Sequence, residues 1–92
     1  MRIKDEVTQG IYDGRPSKKA RARLPEKLWA MARKKMDYVL AARVVEDLWL
    51  PPSNRLEALR GNLAGPWSIR INDQYRIVFT WNGQAEDIQI VD

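Results

Sequence analysis

Two arginines, Arg70 and Arg76, frame a short polar turn in the string WSIRINDQYRI, residues 67–77. Apolar residues alternate on both sides of the turn, as in half-buried strands. A three-residue loop, Asn72-Asp73-Gln74, sets Ile71 opposite Tyr75 and Arg70 opposite Arg76, with both apolar rows on one face. A two-residue loop would pair Arg70 with Ile77 and mix the rows. A slip of one residue flips every side chain to the other face, so the odd loop is predicted, with both arginines on the face away from the helices. Like charges directly opposite across strands are destabilising, so the pair needs a reason.

An anion supplies one. Forked guanidinium groups bind phosphate bidentately, and the bound anion relieves their mutual repulsion. Arg60, at the end of the preceding predicted strand, adds a third cation. Such a set can position a scissile phosphate and stabilise the charge that develops on it. A guanidinium stays protonated and cannot act as a base, so the proton falls to Tyr75, Glu57 or Asp92. The chain has no histidine and no cysteine, which removes the commonest general base and any thiolate zinc site. The inert alternative is that the arginines reach into water or pair with Glu57, Glu86 or Asp92.

The elements that must hold this hairpin are legible in outline. Val7 and Ile11 fall at helical spacing, with Gly14 as a C-terminal stop. The start, MRIKDEV, is either a short strand or the lead-in to that helix. Pro25 and Glu26 open the clearest helix. Leu28, Met31, Ala32, Met36, Val39 and Leu40 lie near one face of it, while Arg33, Lys34 and Asp37 fall largely off that face. ARVVEDLWL continues as a short helical piece that Pro51 and Pro52 end. After PPSN the period changes from 3.6 to 2. RLEAL, WSIRI, YRIVFTW and EDIQIV read as strands, with Asn82-Gly83 as a strong turn signal. Helices followed by three to four strands on short turns imply an α+β fold, with helices packed on one side of an antiparallel sheet. The 92 residues are expected to form a single domain, 1–92.

Charge is unevenly placed. Residues 1–43 hold 12 Lys and Arg against 5 Asp and Glu, a net +7; residues 44–92 hold 4 against 7, a net −3. Such asymmetry suggests a polyanion or an acidic protein as partner. The densest basic run is RPSKKARARLP, read as a connector bracketed by Pro16 and Pro25. Its Arg15, Lys18, Lys19, Arg21 and Arg23 suit attraction to such a polyanion, with an exposed charged linker as the alternative. Arg55 is a further candidate RNA contact, or else a turn-former like Asn54 and Asn72. No apolar run approaches the roughly 18 residues of a membrane span and no signal peptide precedes the chain, so the cytoplasm is expected.

The string NRLEALRGNLAGPWSIRINDQYRIVFTW, followed by a glycine turn and DIQIVD, resembles the HigB-type toxins of bacterial toxin–antitoxin pairs. These plasmid-maintenance killer proteins belong to the RelE/ParE superfamily. GRPSKKARARLPEKL is similar to the family's upstream half, so the resemblance spans nearly the whole chain. It implies two N-terminal helices on an antiparallel sheet and a messenger-RNA endonuclease acting in the 70S ribosomal A site, with no metal or cofactor. It implies a HigA-type antitoxin with a helix-turn-helix domain. By position, Arg60 matches the family's basic residue before the glycine. Arg70 lies in the SIRIN strand, Arg76 matches the arginine after the turn, and Asp92 matches the acidic residue of a C-terminal Asp-Tyr-His segment. This chain ends at that aspartate, so weakened cleavage is expected. Two other readings compete: a ParE-type inhibitor of DNA gyrase, and a non-catalytic RNA- or antitoxin-binding domain. Gyrase inhibition needs no phosphate-gripping set of arginines; the missing Tyr-His pair favours the non-catalytic domain.

Overall fold

The computed structural model describes residues 2–59 and 65–92. Three helices come first: α1, Glu6–Asp13; α2, Lys18–Arg23; and α3, Trp29–Ala41. Four strands follow: β1, Glu57–Ala58; β2, Trp67–Arg70; β3, Arg76–Trp81; and β4, Ala85–Val91. They form one antiparallel sheet in the order β1-β2-β3-β4. The expected α+β arrangement is therefore present.

The helices start and stop for local reasons. The Asp5 carboxylate accepts from the Thr8 amide at 2.7 Å, which satisfies one of the free donors of the first turn of α1. Gly14 ends α1 at φ 73°, a left-handed conformation that costs glycine little. The expected connector over residues 15–23 is corrected: Lys18–Arg23 is helical. Ser17 Oγ accepts from the Ala20 amide at 3.0 Å and opens α2. Leu24, pushed to extended backbone by the proline that follows it, closes it. The flanking prolines mark the limits of a helix rather than an open linker.

Pro25 precedes a 3₁₀ turn, Glu26–Leu28, that runs into α3. Two more 3₁₀ turns, Val45–Trp49 and Pro52–Asn54, lead to the sheet. The expected strand at RLEAL shrinks to the two exposed residues of β1. Ile3 forms a single parallel bridge to Ile88 before Asp5 caps α1, so the chain start serves as both bridge and lead-in.

The core lies between the helices and one sheet face. Ile11, Leu24, Ala32, Met36 and Val39 are buried with Ile69, Ile77, Phe79, Ile88 and Ile90. Met31, expected on the apolar face of α3, is exposed, while Lys35 is buried. The pairing of β3 with β4 slips by one residue between Val78↔Gln89 and Thr80↔Glu86. The extra residue is taken up near Asp87, at φ 51°. This bulge resets the alternation, so Ala85, Ile88 and Ile90 all point inward despite their unequal spacing. Among the described residues, no helix is long and apolar enough to cross a membrane.

Candidate functional site

The β2–β3 hairpin has the predicted register: Ile69 faces Ile77, and Arg70 faces Arg76. The Ile71 amide donates to the Tyr75 carbonyl at 2.9 Å, closing a loop of Asn72, Asp73 and Gln74. Asn72 Oδ1 accepts from the Gln74 and Tyr75 amides at 2.9 and 2.8 Å. Asn72 is therefore a turn-former, since its side chain caps the loop from within.

Both arginines are held near this turn. Arg76 Nη1 donates to Ser68 Oγ at 3.1 Å, and its Nη2 lies 3.7 Å from Glu57 Oε1. Ser68 is fully buried beneath this contact. Arg70 pairs with Asp73 of the turn. Glu57 is the carboxylate named in the inert reading, and Asp73 is one that reading did not include. Both ion pairs are exposed on the acid side, where 53% of the Glu57 side chain and 93% of that of Asp73 meet solvent. Exposed pairs of this kind contribute little, so the carboxylates moderate the cations without removing them.

Arg70 does not stand on an open face, as the strand pattern suggests. It lines a groove of about 440 Å³ with Met31 and Lys35 of α3, Pro52, Ser53 and Arg55 of the turn before the sheet, and Ile71 and Asn72. Lys35 Nζ donates to Asn54 Oδ1 at 2.6 Å and to Ser53 Oγ at 3.1 Å. Burial pushes its pKa down, and the charges of Lys34 and Arg70 add to the effect. Asn54 is itself buried and donates to the Leu48 and Leu50 carbonyls. Its amide is committed to packing the segment, which answers for Asn54 the choice between RNA contact and turn-former.

Asp92 lies apart from the arginine pair. Its carboxylate accepts from Gln74 Nε2 at 3.1 Å. With Arg23, Tyr75 and Gln89 it lines a separate hollow of about 380 Å³ beside α2. Tyr75 immediately precedes Arg76, and Asp92 follows Val91, the cross-strand partner of Arg76. The hollow is thus one strand position from the hairpin cations. Of the three groups able to move a proton, Glu57 meets Arg76 directly, while Tyr75 and Asp92 share this hollow.

The basic run divides by role. Arg23 ties α2 to the rest of the fold: its Nη1 donates to Asp5 Oδ2 at 3.1 Å and to the Ile90 carbonyl at 3.2 Å. Burial alone would raise the Asp5 carboxyl, but the Thr8 amide and Arg23 together hold it below its ordinary value. Arg15 pairs with Asp13 at 2.9 Å and Arg21 with Glu26 at 3.7 Å, both near the surface. Lys18 and Lys19 are exposed on α2. Arg60 lies outside the described residues. Ser68 and Lys35 were not singled out by the sequence pattern. Spacing held a signal for Lys35, because it shares a helical stripe with buried Ala32 and Val39.

Comparison with known proteins shows the family to which the chain belongs. Residues 3–92 match the family of HigB-like toxins, described as RelE-like toxins of type II toxin–antitoxin systems. The chain is 36% identical over 81 residues to Toxin HigB-1 of Vibrio cholerae serotype O1, covering 88% of this chain and 82% of that protein. It is 33% identical over 70 residues to an uncharacterized protein of Haemophilus influenzae, covering 75% of this chain and 69% of that one.

Proposed function

The chain belongs to the RelE-like HigB toxins of type II toxin–antitoxin systems, and on that premise we propose that it is an endoribonuclease. It cuts messenger RNA in the ribosomal A site and is neutralised by a HigA-type helix-turn-helix antitoxin. The observation that carries this reading is the register Arg70↔Arg76. The pair is costly for a hairpin without a ligand, and a phosphate between the two guanidiniums offsets the cost.

In this reading the two arginines, with Arg60, grip the scissile phosphate. They stabilise the charge that builds on its non-bridging oxygens as the neighbouring ribose 2′-oxygen attacks phosphorus. The 2′-proton leaves to a nearby oxygen acceptor, and the 5′-oxygen of the departing strand takes one up. Glu57, beside Arg76, or the Asp92 carboxylate would take the first role, and the Tyr75 hydroxyl, which still carries its proton, the second. Lys18, Lys19, Arg15 and Arg21 present exposed charge to ribosomal RNA. The reading implies a cytoplasmic protein, where translated message is found.

The test is to add the purified chain to a translating system carrying a defined message and to map breaks by primer extension. Cuts confined to translated codons are expected. Intact message together with gyrase-dependent DNA breaks would instead assign the chain to the ParE-type mode of action.

A further inference from the structure

We propose that the groove between α3, the Pro52–Asn54 turn and the end of β2 is a second phosphate subsite, in which Lys35, Arg55 and Arg70 hold an RNA phosphate adjacent to the one gripped by the hairpin. The inference rests on the RNA reading above and extends it to a site outside the arginine pair.

The groove brings three cations together, and among the described residues no carboxylate lines it, although Arg70 is paired with the exposed Asp73 of the turn beside it. Lys35 is only 4% exposed, yet its recorded partners are the neutral oxygens of Asn54 and Ser53. An ammonium has three N–H donors, and these contacts use two of them. A buried cation without a carboxylate is unfavourable, and an incoming anion offsets that cost. Arg55 is exposed, and among the described residues its guanidinium has no ion pair. Its backbone is left-handed at φ 46°, a strained conformation for a side chain of this size. Strain of this kind collects at binding sites, where surrounding structure holds it. Here the Lys35–Asn54 bond anchors the preceding turn.

Continuity favours RNA over an acidic protein segment as the occupant. Arg70 belongs to both features: it is the cross-strand partner of Arg76 and it lines the groove. A strand whose phosphate bridges Arg70 and Arg76 can therefore continue past Arg70 into the groove. Met31, Pro52 and Ile71 supply apolar lining there, with 43% of Met31 open to solvent. Such a surface suits a ribose or a base beside a gripped phosphate.

The experiment measures binding of a 2′-O-methylated hexaribonucleotide to the full chain over a series of salt concentrations. The probe lacks the free 2′-hydroxyl needed for cleavage, so binding is read without turnover. Arg55→Gln and Lys35→Met are each expected to lower the slope of log K against log salt by about 0.7, the loss of one phosphate contact on a single strand. Thermal melts establish folding, and Arg55→Gln, at an exposed position, keeps the test valid if Lys35→Met fails to fold. An unchanged slope in Arg55→Gln, where Arg76→Gln lowers it, would overturn the subsite and leave the endonuclease reading standing. Arg55→Gln weakening antitoxin binding but not the oligonucleotide would give the groove to a protein interface and also overturn it. Failure of the parent chain to bind the probe at any salt concentration would overturn the subsite and leave the endonuclease reading to the translating-system assay.

Discussion

Arg70 and Arg76 stand directly opposite each other across the β2–β3 hairpin, each held by a different carboxylate. Arg76 leans on Glu57 and Ser68 of neighbouring strands, and Arg70 on Asp73 of its own turn. Each guanidinium is thus held by its own carboxylate rather than by one shared between them.

Replacing either cation should separate activity from stability. Arg70→Ala and Arg76→Ala should abolish growth arrest on induced expression, with cleavage lowered on the order of 10²–10³-fold. Arg70→Ala should change stability little, by less than about 1 kcal/mol, because loss of its ion pair is offset by relief of repulsion, whereas Arg76→Ala should cost about 1–2 kcal/mol, because it also takes the donor from the buried Ser68 hydroxyl. Growth curves alongside urea titrations check this. Retained toxicity in both variants would defeat the phosphate-grip reading.

Glu57 should act in two opposed ways. With its carboxylate 3.7 Å from Arg76, it lowers the local positive potential while standing in reach as a base. Glu57→Gln should therefore bind a non-cleavable RNA several-fold more tightly, yet cut translated message more slowly. Parallel binding and single-turnover assays decide; equal loss in both would make Glu57 a purely structural partner of Arg76.

Asn54 should carry the stability of the segment that shapes the groove. Its side chain makes three hydrogen bonds, to Lys35, Leu48 and Leu50, and is fully buried. Asn54→Ala should cost on the order of 2–4 kcal/mol, because it leaves an ammonium and two carbonyls without this partner. Chemical denaturation gives the value, and a cost below about 0.5 kcal/mol would show that the segment holds itself.

Asp5 should give the fold an acid-sensitive clasp. Its carboxyl is held below the ordinary value of 3.8 in the folded chain. The unfolded chain therefore takes up the proton first as pH falls. The stabilisation is fully present above about pH 4 to 5 and is lost as pH drops through the folded pKa. Asp5→Ala should cost about 1 kcal/mol at neutral pH, through loss of the α1 cap and the Arg23 pair. It should also flatten stability against pH below 4. Thermal melts of both proteins over pH 2–7 test the sign.

The hairpin was the most legible part of the molecule. Alternation of Trp67, Ile69 and Ile71 against Tyr75, Ile77 and Phe79 admits one loop parity if the apolar rows are to share a core, and that parity sets Arg70 against Arg76. Pro16 and Pro25 look like linker punctuation around α2. The Ser17 cap and buried Ala20 show that they bound a helix instead. The bulge at Asp87 had no clear mark in the sequence, since only pairing with β3 reveals the extra residue.

What the sequence determined by itself is what short-range periodicity and the chemistry of residue types can carry: helices before strands, the facing arginines, and a chain without histidine or cysteine. Tertiary structure alone decided which charges are left for a ligand. Arg23 is spent on Asp5 and β4, while Lys35 is drawn from a helix stripe into the groove beside Arg70. Those assignments join residues 18 to 67 positions apart, and no local pattern encodes which carboxylate a cation will meet once the core has closed.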